Sequence, residues 1–549
     1  MRSFLARIPR VPLLGALLGL IWFLARFGLP ALSFTNIDWL MEGDWNQHAL
    51  GFLHFRISPW GFPLGKISTI TAPVGTNIAF TDSNPWVSLL LKPFSGILPT
   101  DFQFIGPWLC LSFMLQGVAG VWLGQRITQS KIGAILAAAF FVTSPVLDNR
   151  VGHPTLCAHY LLLFAFILHV VPEDQSFLAR RRNLLGLGLV ALTAGIHPTL
   201  CLMILAVILA LVIQQVITRR LTWLGGALHT LTLLGVTLFV WRILGIIGGN
   251  ELREAGGLGY YNADLATLVH PLDGSRLIPR LPSHAGAYEG LGYLGLGAIA
   301  LGLFLPGLAL AHAQESWAKV RAHLVLMVLC LLLALLAFSI QWRVFGTEIL
   351  NLDTLTKPLR PILDPLRSSG RFIWPVHYLL LVAILFASWR FMPLPRWALV
   401  ALWVACLALQ MGDAKRNAVP AKNHRADWYH MQDEVLAPLA QGKTKLALHP
   451  IMLWSNGPGC DADEWPRNIF QQALYFAYRH RLAMNGGYIA RSSKQHQQAC
   501  EDFPKTIAEG KFAKDTLYLV HPRRVADIVG WPEMECHPAG PDTFGCVLK

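Results

Sequence analysis

Charge is what this chain has least of. Only 14% of its 549 residues are Asp, Glu, Lys or Arg, 54% are hydrophobic, and the mean hydropathy is +0.46. Soluble domains carry about 25% charged residues, so this composition excludes a soluble globular protein and indicates a polytopic membrane protein. Also missing are a Walker-type phosphate loop and a G-x-S-x-G nucleophile elbow, which takes away the sequence marks of P-loop nucleotide enzymes and α/β-hydrolases. The segment GYLGLG at 292–297 looks like part of a dinucleotide fingerprint. No strand precedes it and an apolar run follows, so close helix packing explains it better. Acidic residues are scarcer than basic ones, 32 against 45, for a formal net charge of +13. The excess does not form one basic face. It falls in short clusters at Arg2, Arg7 and Arg10, at Arg126 and Lys131, at Arg180 to Arg182, at Arg219 and Arg220, at Lys319 and Arg321, and at Arg390 and Arg396. These recur at every second junction between apolar segments, as the positive-inside rule predicts, so nucleic acid is not an expected partner.

What the chain has in abundance is long apolar runs, and a bilayer core of about 30 Å needs about 20 such residues per helix. About eleven transmembrane helices are predicted, at 11–32, 103–124, 132–146, 155–171, 184–196, 199–217, 222–247, 291–312, 322–340, 373–389 and 396–411. The first run is too long for a signal-peptide core, and no small-x-small cleavage site closes it. With a cytoplasmic N-terminus, three long loops fall outside: 33–102, which includes an apolar piece at 86–99 too short to span and read as interfacial, then 249–290 and 341–372. An odd number of spans puts 412–549 on the same side. Its composition is that of a small α/β domain, with KTKLALHP and DTLYLVHP reading as short buried strands and NGG as a turn. Cys460, Cys500, Cys536 and Cys546 are the four of nine cysteines that lie in this domain. An even set fits disulfides in an oxidising periplasm, against the alternative of four thiols in a cytosolic tail. Cys536 and Cys546 are the obvious local pair, and the pairing is otherwise open.

The stretch 38–82 holds Asp38, Asp44 and Asp82, His48 and His54, and Arg56 among Trp, Phe, Gly and Pro. With GDWNQHALGFLHFR, TDSNPW, LDNRVGHPTLCAH, EGLGYLGLG and RSSGRFIWP, over most of 1–411, the arrangement resembles the GT-C superfamily of integral-membrane glycosyltransferases. The resemblance implies an inner-membrane enzyme that takes a sugar from a polyprenyl-phosphate donor at the outer face, with inversion at the anomeric carbon. The acceptor would be a glycan, a lipid or a protein.

Such a transfer needs a base for a weakly acidic hydroxyl, which a carboxylate near the anomeric carbon supplies. Asp44 is the first candidate, at the position where the superfamily carries its catalytic acid, with Trp39 and Trp45 to keep water away. A helix N-cap is the plain alternative for Asp44. Asp82 is the second candidate, as acceptor positioner or as partner of Asp44 on a divalent cation, against an ordinary turn residue. His48 and His54 lack the i,i+4 spacing of a helical metal pair, so a metal is left open rather than indicated. The departing phosphate needs cations, and Arg grips phosphate oxygens with a two-pronged fork. Arg371, Arg367 and Lys357 in the third loop and Arg56 in the first are the candidates. Gln47, His48, Arg150 and His153 are candidate substrate contacts. Two other functions share the composition: a surface-polysaccharide polymerase or ligase, and a lipid or solute transporter. Neither internal repeats nor a chain of buried charges marks the latter.

Overall fold

The computed structural model describes residues 10–170, 176–249, 256–415, 428–455, 460, 465–466 and 468–549. Every one of the eleven apolar segments is helical, at Arg10–Phe27, Ile105–Thr128, Lys131–Val142, Tyr160–Val170, Ser176–Ala194, Pro198–Ile217, Trp223–Leu244, Leu296–Gly302 with Leu305–Ala311, Leu324–Phe338, Trp374–Phe391 and Arg396–Asp413. The protein is thus a helical, multi-pass membrane protein. Among the described residues five helices are long and apolar enough to cross a bilayer, and a sixth counts if two helices meeting at 102°, Leu296–Ala311 and Ala313–Ala322, make one broken span. The number falls short of eleven because several helices are short. Leu324–Phe338, with 15 residues, rises only about 22 Å at 1.5 Å per residue.

The chain divides into two compact units that do not follow chain order. The first comprises Met1–Gly28, Pro107–Thr237 and Gly257–Val419 and holds most of the apolar helices. Small residues let its backbones touch. A Cβ on Gly117 would strike the carbonyl of Gly15, and one on Gly120 would lie 2.9 Å from Ala138 Cα. Without a hydrophobic drive between helices in lipid, this close van der Waals fit is what holds them. A two-pronged ion pair, Arg26 Nε to Asp148 Oδ1 at 2.8 Å and Nη2 to Oδ2 at 3.1 Å, ties the end of the first helix to the turn after Lys131–Val142.

The second unit comprises Leu29–Gly106, Leu238–Gly256 and Pro420–Lys549. Residues 33–102, read above as a loop of the membrane domain, therefore belong to the same compact body as the C-terminal residues. The body's sheet has five strands, β1 Lys445–His449, β2 Ala483–Met484, β3 Thr516–Val520, β4 Met534–Gly540 and β5 Thr543–Leu548, in the order β4-β5-β3-β1-β2. β1 runs parallel to both β3 and β2, whereas β5 is antiparallel to β3 and β4. The unbroken apolar runs LALH and TLYLV suit strands covered on both faces, and both are buried throughout. Cys536 and Cys546 face each other across β4 and β5 and are joined, and Cys460 is joined to Cys500.

The early loop completes this sheet. The amide of Ala72 bonds to the Met484 carbonyl at 2.7 Å, Met484 to Thr69 at 3.0 Å, and Thr71 to Gly486 at 3.2 Å. The helix Trp45–Ile57 is polar along much of its length yet buried from Trp45 to Arg56. That combination requires partners for each polar side chain. The helix Ile469–Arg479 supplies one, at His54, and other bonds tie it to the residues that flank Trp45–Ile57. His54 Nε2 donates to the Leu474 carbonyl at 2.9 Å, Gln471 Nε2 to Met41 O at 3.2 Å, and the Tyr475 and Tyr478 hydroxyls reach Asp101 and the Thr100 carbonyl at 2.8 and 2.7 Å. Trp428 Nε1 holds Asp38 at 3.0 Å.

Candidate active site

The candidate residues form two groups, one in each unit. In the second unit Asp44 occupies the N-cap position of Trp45–Ile57, but its side chain makes no capping bond. Its Oδ1 instead accepts the hydroxyl of Tyr488, at 3.1 Å, from the short strand Gly487–Ile489. The capping alternative is right about position and wrong about the bond. Trp39 and Trp45 pack edge to face at 5.5 Å beside it, both buried. One turn further on, His48 lies on the same side of the helix. Its Nδ1 donates to the Asp82 carbonyl at 2.6 Å, which leaves Nε2 toward the Asp82 carboxylate at 3.8 Å. Gln47 Nε2 donates to the Phe80 carbonyl at 3.0 Å.

Asp82 itself has φ +55°, a left-handed conformation that Asp and Asn tolerate best, so the turn reading holds for its backbone while the carboxylate faces the imidazole. Gly51 makes this possible. A Cβ there would strike the side chain of Thr81, so only glycine lets the 81–83 segment lie against the helix. His48 and Asp82 are thus in contact, Gln47 bonds beside them at Phe80, and Asp44, one turn before His48, bonds Tyr488.

Arg56 is not part of such a group. Its guanidinium donates to the carbonyls of Pro99, Thr100, Ser95 and Leu98 at 2.7 to 3.1 Å. Four of its five donors thus cap one turn of backbone, which leaves little to offer a phosphate. The assignment to phosphate binding is corrected to a structural one.

In the first unit Arg150 and Arg371 converge on Glu289. Arg150 Nη1 is 2.8 Å from Glu289 Oε2, and Arg371 contacts both carboxylate oxygens, Nε to Oε2 at 2.7 Å and Nη2 to Oε1 at 3.0 Å. Arg150 also donates to the Tyr288 carbonyl and lies 5.7 Å from the Trp374 ring. Two glycines bring the loops together. A Cβ on Gly370 would come within 2.7 Å of Gly290 Cα, so Gly290 and Gly370 set the neighbouring Glu289 and Arg371 side by side. Burial alone would raise the Glu289 pKa, but Arg371 and then Arg150 outweigh it and hold the carboxyl well below the usual carboxylate range. Arg367 stacks over the Tyr261 ring at 4.7 Å, within electrostatic reach of Arg371 and Glu289, and makes no hydrogen bond among the described residues. His153 also acts electrostatically on Glu289. Three guanidinium groups against one carboxylate leave this group a net charge of about +2. Lys357 stands apart, exposed and in no ion pair among the described residues.

Two residues of these groups were missed from the sequence. Glu289 opens the EGLGYLGLG motif, whose glycines draw the attention instead, and Tyr488 lies more than 400 residues from Asp44, with no motif around it to single it out.

A family model described as "Domain of unknown function (DUF6311)" matches residues 16–415, and one described as "DUF6311 C-terminal domain" matches 436–536. No curated protein matches the chain significantly.

Proposed function

The chain belongs to the DUF6311 family, and on that premise we propose that it is an inner-membrane glycosyltransferase of the GT-C type. It would move a sugar from polyprenyl phosphate to a glycan, lipid or protein acceptor outside the cytoplasm. The observation that carries the reading is the pair Arg150 and Arg371, ordered by Glu289, with Arg367 held over Tyr261 nearby, at the mouth of the apolar helix Trp374–Phe391. A lipid phosphate leaving a sugar becomes a monoester with up to two negative charges, and a group of about +2 suits it. In the second unit Asp44 is assigned the role of base. It takes the acceptor hydroxyl proton as the acceptor oxygen bonds to the anomeric carbon and the bond from that carbon to the phosphate oxygen breaks, inverting the centre. Tyr488 orients Asp44, and His48 with Asp82 is assigned to the acceptor. The alternation of basic clusters and the two disulfides support eleven spans, a cytoplasmic N-terminus and a periplasmic C-terminal domain.

The test is transfer from radiolabelled polyprenyl-phosphate sugars by purified protein. Asp44→Asn is expected to lower turnover about 10²- to 10⁴-fold with insertion and folding unchanged. Full activity in that variant would move the role to Asp82. Deleting the gene and comparing surface polysaccharide, lipid A and glycoproteins by mass spectrometry would name the missing sugar.

One observation favours a transporter as the second reading. Among the membrane helices Gln116 and His159 both bond to the Tyr378 hydroxyl, at 3.3 and 2.8 Å, and Ser144 bonds to His377 at 3.0 Å, all five residues being fully buried except Ser144 at 1%. Buried polar chains at membrane depth often mark a path for a solute or proton. Flux in proteoliposomes without sugar transfer would establish it.

A further inference from the structure

The least covered of the membrane helices is Trp223–Leu244. Only 22% of its most apolar stretch is buried in the protein, against 61 to 67% for the four other helices, among the described residues, that are long enough to cross a bilayer. In a membrane protein such a surface faces lipid. The helix follows Pro198–Ile217 through the turn 218–222, and so short a connection makes the two antiparallel neighbours. Between them opens a cleft of about 430 Å³, lined by Val212, Val216 and Ile217 of one helix and by Trp223, Ala227 and Leu231 of the other. Its size is that of a ligand cleft, about 300 to 1,000 Å³. Gly226, buried between the helices, lets them close on each other, since a Cβ there would stand 2.5 Å from Val216 Cγ2. From Trp223 to Leu231 the wall rises about 12 Å at 1.5 Å per residue. That is most of one leaflet, half of a bilayer core of about 30 Å.

One end of the cleft is marked chemically. Trp223 opens the second helix and is 84% exposed, and tryptophan at a helix end sits at headgroup level. In the adjoining turn stand Arg219 and Arg220, both exposed. The turn closes the first helix in a Schellman motif, the amides of Arg219 and Arg220 bonding to the carbonyls of Val216 and Gln215 at 3.0 and 2.8 Å. This motif takes a left-handed residue, most often glycine, and here it is Arg219, with φ +56°. A side chain is disfavoured in that conformation, so arginine stands here against the preference of its backbone. The helix dipole favours a cation at this end, but one a residue earlier would serve it without strain.

We infer that the cleft is a binding site for an anionic phospholipid, an acyl chain lying between the two helices and the headgroup phosphate at Arg219. The site lies within the first unit and does not depend on the glycosyltransferase reading. The experiment is native mass spectrometry of the full-length protein in detergent, titrated with dioleoyl phosphatidylglycerol, with zwitterionic dioleoyl phosphatidylcholine and with polyprenyl phosphate. Phosphatidylglycerol is retained at concentrations where phosphatidylcholine is not. Arg219→Asn, which a left-handed backbone tolerates, weakens that retention about fivefold, the share of one arginine at a lipid surface, and Arg219→Lys leaves it within twofold of the parent. Ala227→Trp, at an exposed position in the cleft wall, weakens it at least tenfold. Equal retention of the two phospholipids, unchanged retention in Arg219→Asn or Ala227→Trp, a dimer that excludes lipid, or a preference for polyprenyl phosphate overturns the site.

Discussion

The two units hold their carboxylates in opposite ways. In the first, Glu289 is buried between two guanidinium groups, and its charge is consumed in keeping them in place. In the second, Asp44 accepts the Tyr488 hydroxyl at 3.1 Å and Asp82 faces the His48 imidazole at 3.8 Å. A carboxylate clamped by arginine is a poor base, because its pKa is driven down. Glu289 organises a pair of guanidinium groups, whereas Asp44 and Asp82 meet a phenol and an imidazole.

Four substitutions test that contrast, taken from the largest effect to the smallest. Glu289→Gln keeps the shape but strips the counter-charge from the buried Arg150 and the half-buried Arg371, and is expected to cost about 3 to 5 kcal/mol in thermal unfolding. A loss under about 1 kcal/mol would mean that Glu289 does not organise the group. Next is a pH effect confined to the second unit. Burial lowers the His54 pKa to about 4, against a smaller upward pull from the Leu474 carbonyl. Its folded pKa lies below the unfolded value near 6.5, so its contribution is complete above pH 6.5. It falls by about 3 kcal/mol as pH drops toward 4. His54→Gln is expected to be less stable at neutral pH and to show a flatter slope over that window, read by denaturant unfolding at fixed pH.

Tyr488→Phe removes one bond to Asp44 and is expected to lower turnover about tenfold, roughly 1.4 kcal/mol, while shifting the pH profile of kcat/KM and leaving melting nearly unchanged. An unshifted profile would leave Tyr488 a packing residue. Lys357→Ala, lying outside both groups, is expected to change transfer less than about twofold. A larger loss would bring the third loop's exposed end back into consideration.

What could be read from the residues alone was local. Apolar runs became helices because 3.6-residue backbone bonding within one segment is the simplest way to satisfy a chain in lipid, and LALH and TLYLV became strands for a similarly local reason. Arg371 stood out because the guanidinium fork suits a phosphate, and Arg150 as a polar residue in a turn between apolar segments. Glu289 did not, since its meaning comes from partners 139 and 82 positions away, brought near by two glycines that carry no chemistry of their own. Arg56 was misjudged for the same reason. Its type suggested phosphate, but four distant backbone carbonyls had already taken its donors. The C-terminal domain was recognised as a domain, but nothing in its composition pointed to 69–72 as the segment that pairs beside β2.

That pairing also bears on how the protein is made. His54 and the Leu474 carbonyl that it binds are 420 residues apart. The polar helix Trp45–Ile57 emerges early in synthesis, yet the Ile469–Arg479 helix that covers it is translated only after the last apolar segment. Closing so long a loop is slow compared with local helix formation. The early segment must therefore wait with its hydrogen-bonding groups unsatisfied by their final partners. A chain stopped at residue 415 would keep the apolar helices and never finish the body that holds Asp44.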